Sequence, residues 1–401
     1  MLPDGWKSTT LGKMNLDISD GNYSSKYPCA SDFVKVGIPF LRANNIQSGT
    51  VNDEDMRYIS IQKHDELQKG HLKKEDILIT TRGDIGQISI TPERHINSNI
   101  NAQIVRINSN NLQNNLYLFH YLSFCKINNK FEPLTTGTAL KQLPVGRLKL
   151  LPILIPPLPE QKKIAAILST WDRAIEETEK LLTNSQQQKK ALMQQLLTGK
   201  KRLPGFTGEW KKTNIENIAK EISIRNKKRT NYPVISCTKT KGFVDSLSFF
   251  NKKVYSDDLS GYKIISRNQI GFPSNHVEEG SIGLQNLHDD AIVSPIYTVF
   301  SMKENVDPLF VFAVLKTDHY RQIFAAATNS SVDRRGSLRW SAFSQIKINL
   351  PSLSEQQAIA AALSTADEEI AAIEADLSRL RQEKKALMQQ LLTGKRRVTV
   401  D

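Results

Sequence analysis

Apolar residues recur along two stretches of the chain at alternating steps of four and three. In the first, the row runs Ile164, Leu168, Trp171, Ile175, Thr178, Leu182, Ser185, Lys189, Leu192 and Leu196. In the second it runs Ile359, Leu363, Ala366, Ile370, Ile373, Leu377, Leu380, Lys384, Leu387 and Leu391. A sustained 3.5-residue period is the pattern of a coiled-coil seam. Each stretch predicts one helix of about 40 residues, roughly 60 Å long. The first opens at Pro159, which suits a first helical turn. The second opens at Ser354 with Gln357 three residues on, the spacing of a capping box. Both end at a glycine, Gly199 and Gly394, followed by Lys and Arg, as helix C-termini prefer. Helices of this length exceed what one small domain covers, which favours pairing between them. Two separate amphipathic helices lying on globular cores would give the same pattern.

The two stretches are copies. Residues 189–200 recur unchanged at 384–395, an offset of 195 residues. At the same offset Glu160-Gln161 matches Glu355-Gln356, Ile164-Ala165-Ala166 matches Ile359-Ala360-Ala361, and Asp172 matches Asp367. The segments before each copy read differently. Residues 77–80, 87–90 and 102–107 read as strands, and 116–124 as a helix. Residues 263–265, 296–300 and 309–315 are expected to take the matching places. Each segment starts near a Gly/Trp/Lys cluster, Gly5-Trp6-Lys7 and Gly208-Glu209-Trp210-Lys211. The reading is α/β: globules at 1–154 and 201–350, and long helices at 155–200 and 351–401. The simplest pairing is an antiparallel coiled coil within one molecule, with the globules related by an approximate two-fold axis and the helices serving as a ruler.

Charge changes the picture. The chain has 401 residues, a formal net charge of +13 and a pI near 9.4, which favours a polyanionic partner. No run approaches the ~20 apolar residues of a spanning helix, and the N-terminus lacks a basic segment followed by an apolar one, so a cytoplasmic protein is expected. Cys29, Cys125 and Cys237 are isolated, which argues against a zinc cage or disulfide framework.

Lys and Arg neutralise phosphates, while Arg, Asn and Gln can pair with base edges. In the first globule the candidates for DNA contact are Arg42, Asn44, Asn45, Arg82, Arg94, Thr138, Lys141 and Gln142. In the second they are Lys239, Lys241, Asn275, Ser330, Arg334, Arg335 and Arg339. Residues 211–241 hold nine Lys or Arg against two acidic residues. The polar loops 137–143 and 329–336 take matching places and are the preferred contacts. Two Gly-x-x-Gly turns, at Gly83 and Gly280, read as ordinary turns. A catalytic constellation is not visible. The Pro-Pro at 156–157 lacks the polar residue before it and the aromatic after it that mark a base pocket. Thr198-Gly199-Lys200 lacks the upstream glycine of a P-loop. Glu383 and Lys385 fall within a helix without a strand around them.

The segments 154–165 (Leu-Ile-Pro-Pro-Leu-Pro-Glu-Gln-x-x-Ile-Ala) and 350–360 (Leu-Pro-Ser-Leu-Ser-Glu-Gln-x-x-Ile-Ala) resemble the conserved regions of type I restriction-modification specificity subunits. Ile38-Pro39-Phe40-Leu41-Arg42 with Asp76-Ile77-Leu78-Ile79-Thr80-x-Arg82-Gly83, and Ser294-Pro295-Ile296-Tyr297, resemble that family's target-recognition domains. The resemblance implies a non-catalytic DNA-reading subunit, each globule reading half of a bipartite, asymmetric site. It also implies that the helices bind two modification subunits, which would carry S-adenosylmethionine and methylate adenine. Restriction subunits would bring ATP, magnesium and cleavage. Two other readings stay open: a self-contained methyltransferase or endonuclease, and a coiled-coil adaptor without DNA.

Overall fold

The structure is a computed structural model that describes residues 2–21, 23, 26–47, 49–329 and 337–400. It divides into two compact units, Met1–Lys180 with Ala375–Asp401, and Leu181–Glu374. The division falls inside both long helices, so each unit holds one globule and a half of each helix.

In the first unit the chain order is β1 (Lys7–Thr10), β2 (Asp17–Asp20), β3 (Ile77–Thr80), β4 (Ile88–Ile90), β5 (Ile104–Asn108), α1 (Asn115–Ile127), β6 (Pro152–Ile155) and the first half of α2 (Leu158–Leu196). The second half of α2 opens the second unit. There follow β7 (Lys211–Asn214), β8 (Ala219–Ile222), β9 (Ile235–Thr238), β10 (Gly242–Asp245), β11 (Ile270–Pro273), β12 (Gly283–Leu284), β13 (Tyr297–Met302), α3 (Pro308–Leu315), α4 (Asp318–Asn329), β14 (Lys347–Leu350) and α5 (Leu353–Leu391). The last half of α5 belongs to the first unit.

The two units share a plan. The first has an antiparallel sheet of order β2-β5-β3-β4 and a ribbon of β1 with β6. The second has β8-β13-β11-β12 and a ribbon of β7 with β14. β3 is buried throughout, and apolar up to Thr80, because both its faces are covered. Ile77 and Ile79 meet the core under α1, while Leu78 meets a second cluster with Leu41, Ile46, Val51 and Leu72. The counterpart of β3 is β11, Ile-Gly-Phe-Pro, rather than the expected 263–265. Gly271 and Pro273 hid this strand, because neither is a strand former. Residues Lys263–Ser266 instead pair with Asp290–Val293 in a separate ribbon.

In the first unit α2 and α5 run antiparallel: Asp172 pairs with Lys384, and Arg381 donates to Glu179 at 2.6 Å. In the second, Lys189 pairs with Asp367. These lysines interrupt the apolar rows of the sequence because each meets an aspartate of the opposing helix. Of the seam residues, Ile164, Leu168, Leu196, Ile359, Leu363, Ile373, Leu377 and Leu391 are buried, while Trp171, Ile175, Leu182, Leu192, Ile370, Leu380 and Leu387 are half-buried. α5 starts two residues earlier than a cap at Ser354 implies. Ser352, not Ser354, caps it, accepting from the Glu355 amide at 3.4 Å.

The helix ends carry a shared clamp. In the first unit Glu160 is 2% exposed and takes hydrogen bonds from Arg397, at 3.3 Å from Nε, and from the Trp6 indole at 3.2 Å. In the second unit Glu355 is 1% exposed and accepts from Arg202 Nη2 at 2.6 Å. Gly394 and Gly199 adopt φ of +72° and +69°, and a Cβ on them would stand 3.5 Å from the Trp6 ring and 3.4 Å from the Trp210 ring. The positive φ is what calls for glycine at both positions, and at Gly394 a Cβ would in addition stand 2.8 Å from Pro3 Cγ. Next to each glutamate, a buried glutamine ties helix to globule. Gln161 accepts from the Asn114 amide at 3.0 Å and donates to the Pro156 carbonyl at 2.8 Å. Gln356 accepts from the Asp307 amide at 2.9 Å and donates to the Pro351 carbonyl at 2.9 Å. Asn114 and Asp307 are the N-caps of α1 and α3.

Two predictions follow from this framework. Gln161→Leu strands a half-buried amide and a buried carbonyl, and is expected to lower stability in urea by about 1–3 kcal/mol. An unchanged midpoint would show that the bridge contributes nothing. His120 is buried, with Nε2 3.1 Å from Ser169 Oγ; burial and then Lys384 hold its imidazole down at about 3. In the unfolded chain it titrates near ~6.5. Below that pH the unfolded chain takes a proton that the folded chain refuses, so stability is full above about 6.5 and is lost on acidification at up to about 1.4 kcal/mol per pH unit. Thermal melts between about pH 6.5 and 5 should show this slope in the parent and a flatter one in His120→Gln.

Candidate nucleic-acid interface

In the first unit the chain leaves β3 through Thr81-Arg82-Gly83 and is crossed there by a second loop. The Leu143 amide donates to the Thr81 carbonyl at 2.9 Å, and Gln142 forms a β-bridge with Arg82. Thr136 and Gln142 exchange backbone hydrogen bonds of 2.8 and 2.9 Å, which closes the loop and pushes residues 137–141 outward. Leu143 is buried and pins the loop to the core. Arg82, Thr138, Lys141 and Gln142 thereby come together. Arg82 is exposed, with its guanidinium 5.6 Å from the Tyr23 ring. Lys141 pairs with Glu132, and Leu140 at the loop tip is 88% exposed.

The second unit repeats the crossing. The chain leaves β11 through Ser274-Asn275-His276, and the Leu338 amide donates to the Ser274 carbonyl at 2.8 Å. Leu338 is buried and stands 195 residues after Leu143, the offset of the helical repeat. Exposed Asn275 and Arg339 flank this contact. Ser330, Arg334 and Arg335 lie outside the described residues. Lys239 and Lys241 sit at the tip of the β9–β10 hairpin. Lys316 ties that tip to the neighbouring turn, donating to the carbonyls of Lys239 at 2.9 Å, Gly280 at 2.7 Å and Ile282 at 3.3 Å. Burial holds its ammonium below the usual lysine range.

The remaining candidates gather elsewhere, on the segment 51–55. Arg42 donates to the Asp55 carbonyl at 2.5 Å; Arg94 meets Asp53 at 2.8 Å and the Val51 carbonyl at 2.9 Å. Burial raises the Asp53 carboxyl, but hydrogen bonds from His95 and Arg94 outweigh it and hold the group below the usual range. Asn44 is exposed beside this segment. Asn45 is not a surface contact. Its side chain is fully buried, accepts from the Arg42 amide at 2.9 Å and donates to the carbonyls of Asn52 and Glu54, both at 3.1 Å. It builds the turn. Tyr23 and Leu140 were missed from sequence because neither belongs to a periodic or charged pattern; the first stands 59 positions before its arginine.

Among the described residues, one group could hold a metal ion by proximity: His276, Glu278 and Glu279, with ligand atoms within 4.8 Å of one another. A direct His276–Glu279 contact of 3.2 Å accounts for that closeness. Burial pushes the Cys125 and Cys237 thiols up to about 12, so neither is a poised nucleophile. Among the described residues, no helix is long and apolar enough to cross a membrane.

Comparison with known proteins follows the same two-part plan. The sequence matches the family described as type I restriction modification DNA specificity domain over residues 3–184 and again over 208–382. A Methanocaldococcus jannaschii protein named as the MjaX type I restriction enzyme specificity subunit is 27% identical over 99% of this chain and 95% of its own length. The MjaVIII specificity subunit of the same organism is 24% identical over 90% of this chain and 86% of its own. Among solved structures, the S subunit of a type I restriction-modification system from M. genitalium superposes with a TM-score of 0.60 at 15% identity, over 98% of each chain.

The geometry separates two kinds of arginine. Arg82→Ala and Asn275→Ala are each expected to weaken duplex DNA binding by about 5- to 150-fold, the effect of one lost base or groove contact of ~1–3 kcal/mol. Arg94→Ala, at a side chain already committed to Asp53, is expected to change it by less than about threefold. Fluorescence anisotropy at fixed salt reads this; equal losses in all three variants would refute the distinction.

Proposed function

The chain belongs to the type I restriction modification DNA specificity family, and on that premise we propose that it is the subunit that selects the DNA sequence for a type I restriction-modification complex. Each unit reads one half of a bipartite, asymmetric site. The two long helices set the spacing between half-sites and carry the contacts to two modification subunits. Those partners supply S-adenosylmethionine and methylate adenine; restriction subunits, where present, supply ATP-dependent, magnesium-dependent cleavage. The chain itself works as a non-catalytic reader in the cytoplasm.

One observation carries this reading. The same crossing of strand-end turn and anchored loop occurs in both units, at Thr81/Leu143 and Ser274/Leu338, and each presents different polar side chains. A common frame with different exposed groups suits two dissimilar half-sites. Phosphate contacts position a reader and base contacts specify, so Arg82 and Gln142 in one unit, and Asn275 and Arg339 in the other, are the proposed specifying groups. The lysines Lys239 and Lys241 are proposed to hold the backbone.

Adenine methylation mapped across the genome of cells carrying the chain with its modification partner tests the reading. The expected pattern is one asymmetric split sequence with a fixed spacer. Arg82→Ala should relax the bases of one half and Asn275→Ala those of the other. Relaxation of both halves by either variant would sink the two-reader account. Methylation by the purified chain alone would make it an enzyme, and the absence of salt-dependent duplex binding would make it an adaptor.

A further inference from the structure

The second unit exposes an apolar element that the reading above does not use. Directly after β10, residues Ser246–Phe250 form one short helix. It is fixed from below: Ser246 is fully buried, its amide donates to the Val234 carbonyl at 3.0 Å, and its hydroxyl lies 2.8 Å from that of Ser236. Asp245 caps it, accepting from the Ser248 amide at 3.0 Å. Its outer side carries Leu247, Phe249 and Phe250, which are 54%, 42% and 39% exposed. The two phenyl rings stand edge to face at 5.0 Å.

Exposed aromatics on a rigid support need a reason, because each leaves apolar surface in water. The charges around them indicate the occupant. Lys241 Nζ lies 5.5 Å from the Phe249 ring, and Lys253 Nζ lies 5.5 Å from the Tyr255 ring. Residues 239–255 contain four lysines and a single acidic residue, Asp245, whose carboxylate is taken up as the cap. Asp257 then pairs with Lys253. The element is also continuous with the proposed DNA-facing surface. Lys241 belongs to the hairpin tip that Lys316 binds to the Gly280 turn, next to Asn275 and His276. An apolar tip inside a lysine frame suits a duplex, whose phosphates meet the lysines and whose grooves offer thymine methyl groups, or the face of a base at an unstacked step, to the rings.

We propose that Leu247, Phe249 and Phe250 form an apolar DNA contact of the second unit, pressed against the bases of its half-site while Lys239 and Lys241 engage the flanking phosphates. The proposal rests on the DNA-reading function above and adds a class of contact to it. Fully burying one phenylalanine contributes about 1.5–3 kcal/mol; the two rings are 42% and 39% exposed, so covering the rest of both is worth somewhat less than one full burial, and removing the pair should cost about 10- to 60-fold in affinity. Because no charge is lost, the salt dependence should not change, whereas each lysine removed should lower the slope of log K against log salt by about 1.

The test uses the full chain and a 40-base-pair duplex carrying the sequence obtained from methylation mapping, with a scrambled duplex of equal length beside it. Anisotropy titrations at several salt concentrations compare the parent with Phe249→Ala/Phe250→Ala, Leu247→Ala, Lys239→Ala/Lys241→Ala and Arg82→Ala. Circular dichroism melts check that each variant folds. The expected result is weaker binding of the mapped duplex by the ring variant at unchanged slope, a smaller loss for Leu247→Ala, and a lower slope for the lysine variant. Parent-like affinity in the folded ring variant, with Arg82→Ala still weakened, overturns this inference alone and leaves the face to a protein partner. A parent that shows no salt-dependent duplex binding overturns the DNA-reading function itself.

Discussion

Two buried carboxylates set the terms for the whole chain. Glu160 and Glu355 lie at the start of the long helices, nearly inaccessible to water, and a lone carboxylate there would cost several kcal/mol. Each is satisfied by an arginine that trails the other helix, Arg397 for Glu160 and Arg202 for Glu355. A partner from the end of the opposite helix can arrive only if the helices run antiparallel and in one register. A slip of one turn would move each arginine about 5 Å away and leave the charge bare. The lysine–aspartate pairs in the middle repeat the rule. They are worth little as surface ion pairs, yet in any other register Lys189 and Lys384 would face apolar rows.

The glutamine beside each glutamate extends this constraint into the globules. Gln161 and Gln356 bind the N-cap backbone of α1 and α3, so the first turn of a globule helix is placed by the first turn of a long helix. The Glu-Gln pair thus sits where one helix, its antiparallel partner and a globule meet. Trp6 and the glycine at the end of α5 close the same corner in the first unit, and Trp210 and the glycine at the end of α2 close it in the second. Three motifs that are far apart in sequence, Trp-Lys, Glu-Gln and Gly-Lys, are parts of one joint.

Much of this was legible beforehand, for a definable reason. The helices, their ends and their duplicated seam are encoded in periodicity and identity, which survive in a single sequence. β3 was legible because an Ile-Leu-Ile run buried on both faces has no polar alternation to confuse it. β11 was not, because Gly271 and Pro273 occupy the equivalent strand and only the backbone pairing with β13 reveals it. The capping serine of α5 was misplaced by two positions, since Ser352 and Ser354 both precede a suitable residue and only geometry chooses. Among the site residues, charge and residue type grouped Arg94 with Arg82. The structure separates them by what their guanidiniums already hold: Asp53 in one case, the face of Tyr23 in the other. Asn45 illustrates the same limit, since a buried turn-forming asparagine and a base-reading one look alike in sequence.

The division of labour between frame and surface explains how two divergent globules coexist in one chain. In each unit a buried leucine ties the proposed reading loop to the end of a central strand through its backbone amide, Leu143 to Thr81 and Leu338 to Ser274. Neither anchor involves the side chains at the tip. Changing Thr138, Lys141 or the residues beside Asn275 therefore alters what is offered to a partner without touching the core or the helix joint. The opposite holds for Glu160, Gln161 and their counterparts, whose bonds are internal and whose loss exposes a buried charge or an unpaired amide. Sequence drift is consequently cheap at the tips and costly at the joints. At the joint the 195-residue repeat keeps Glu160-Gln161, Ile164-Ala165 and residues 189–200 unchanged, while the exposed loops of the two globules differ, as that asymmetry of cost requires.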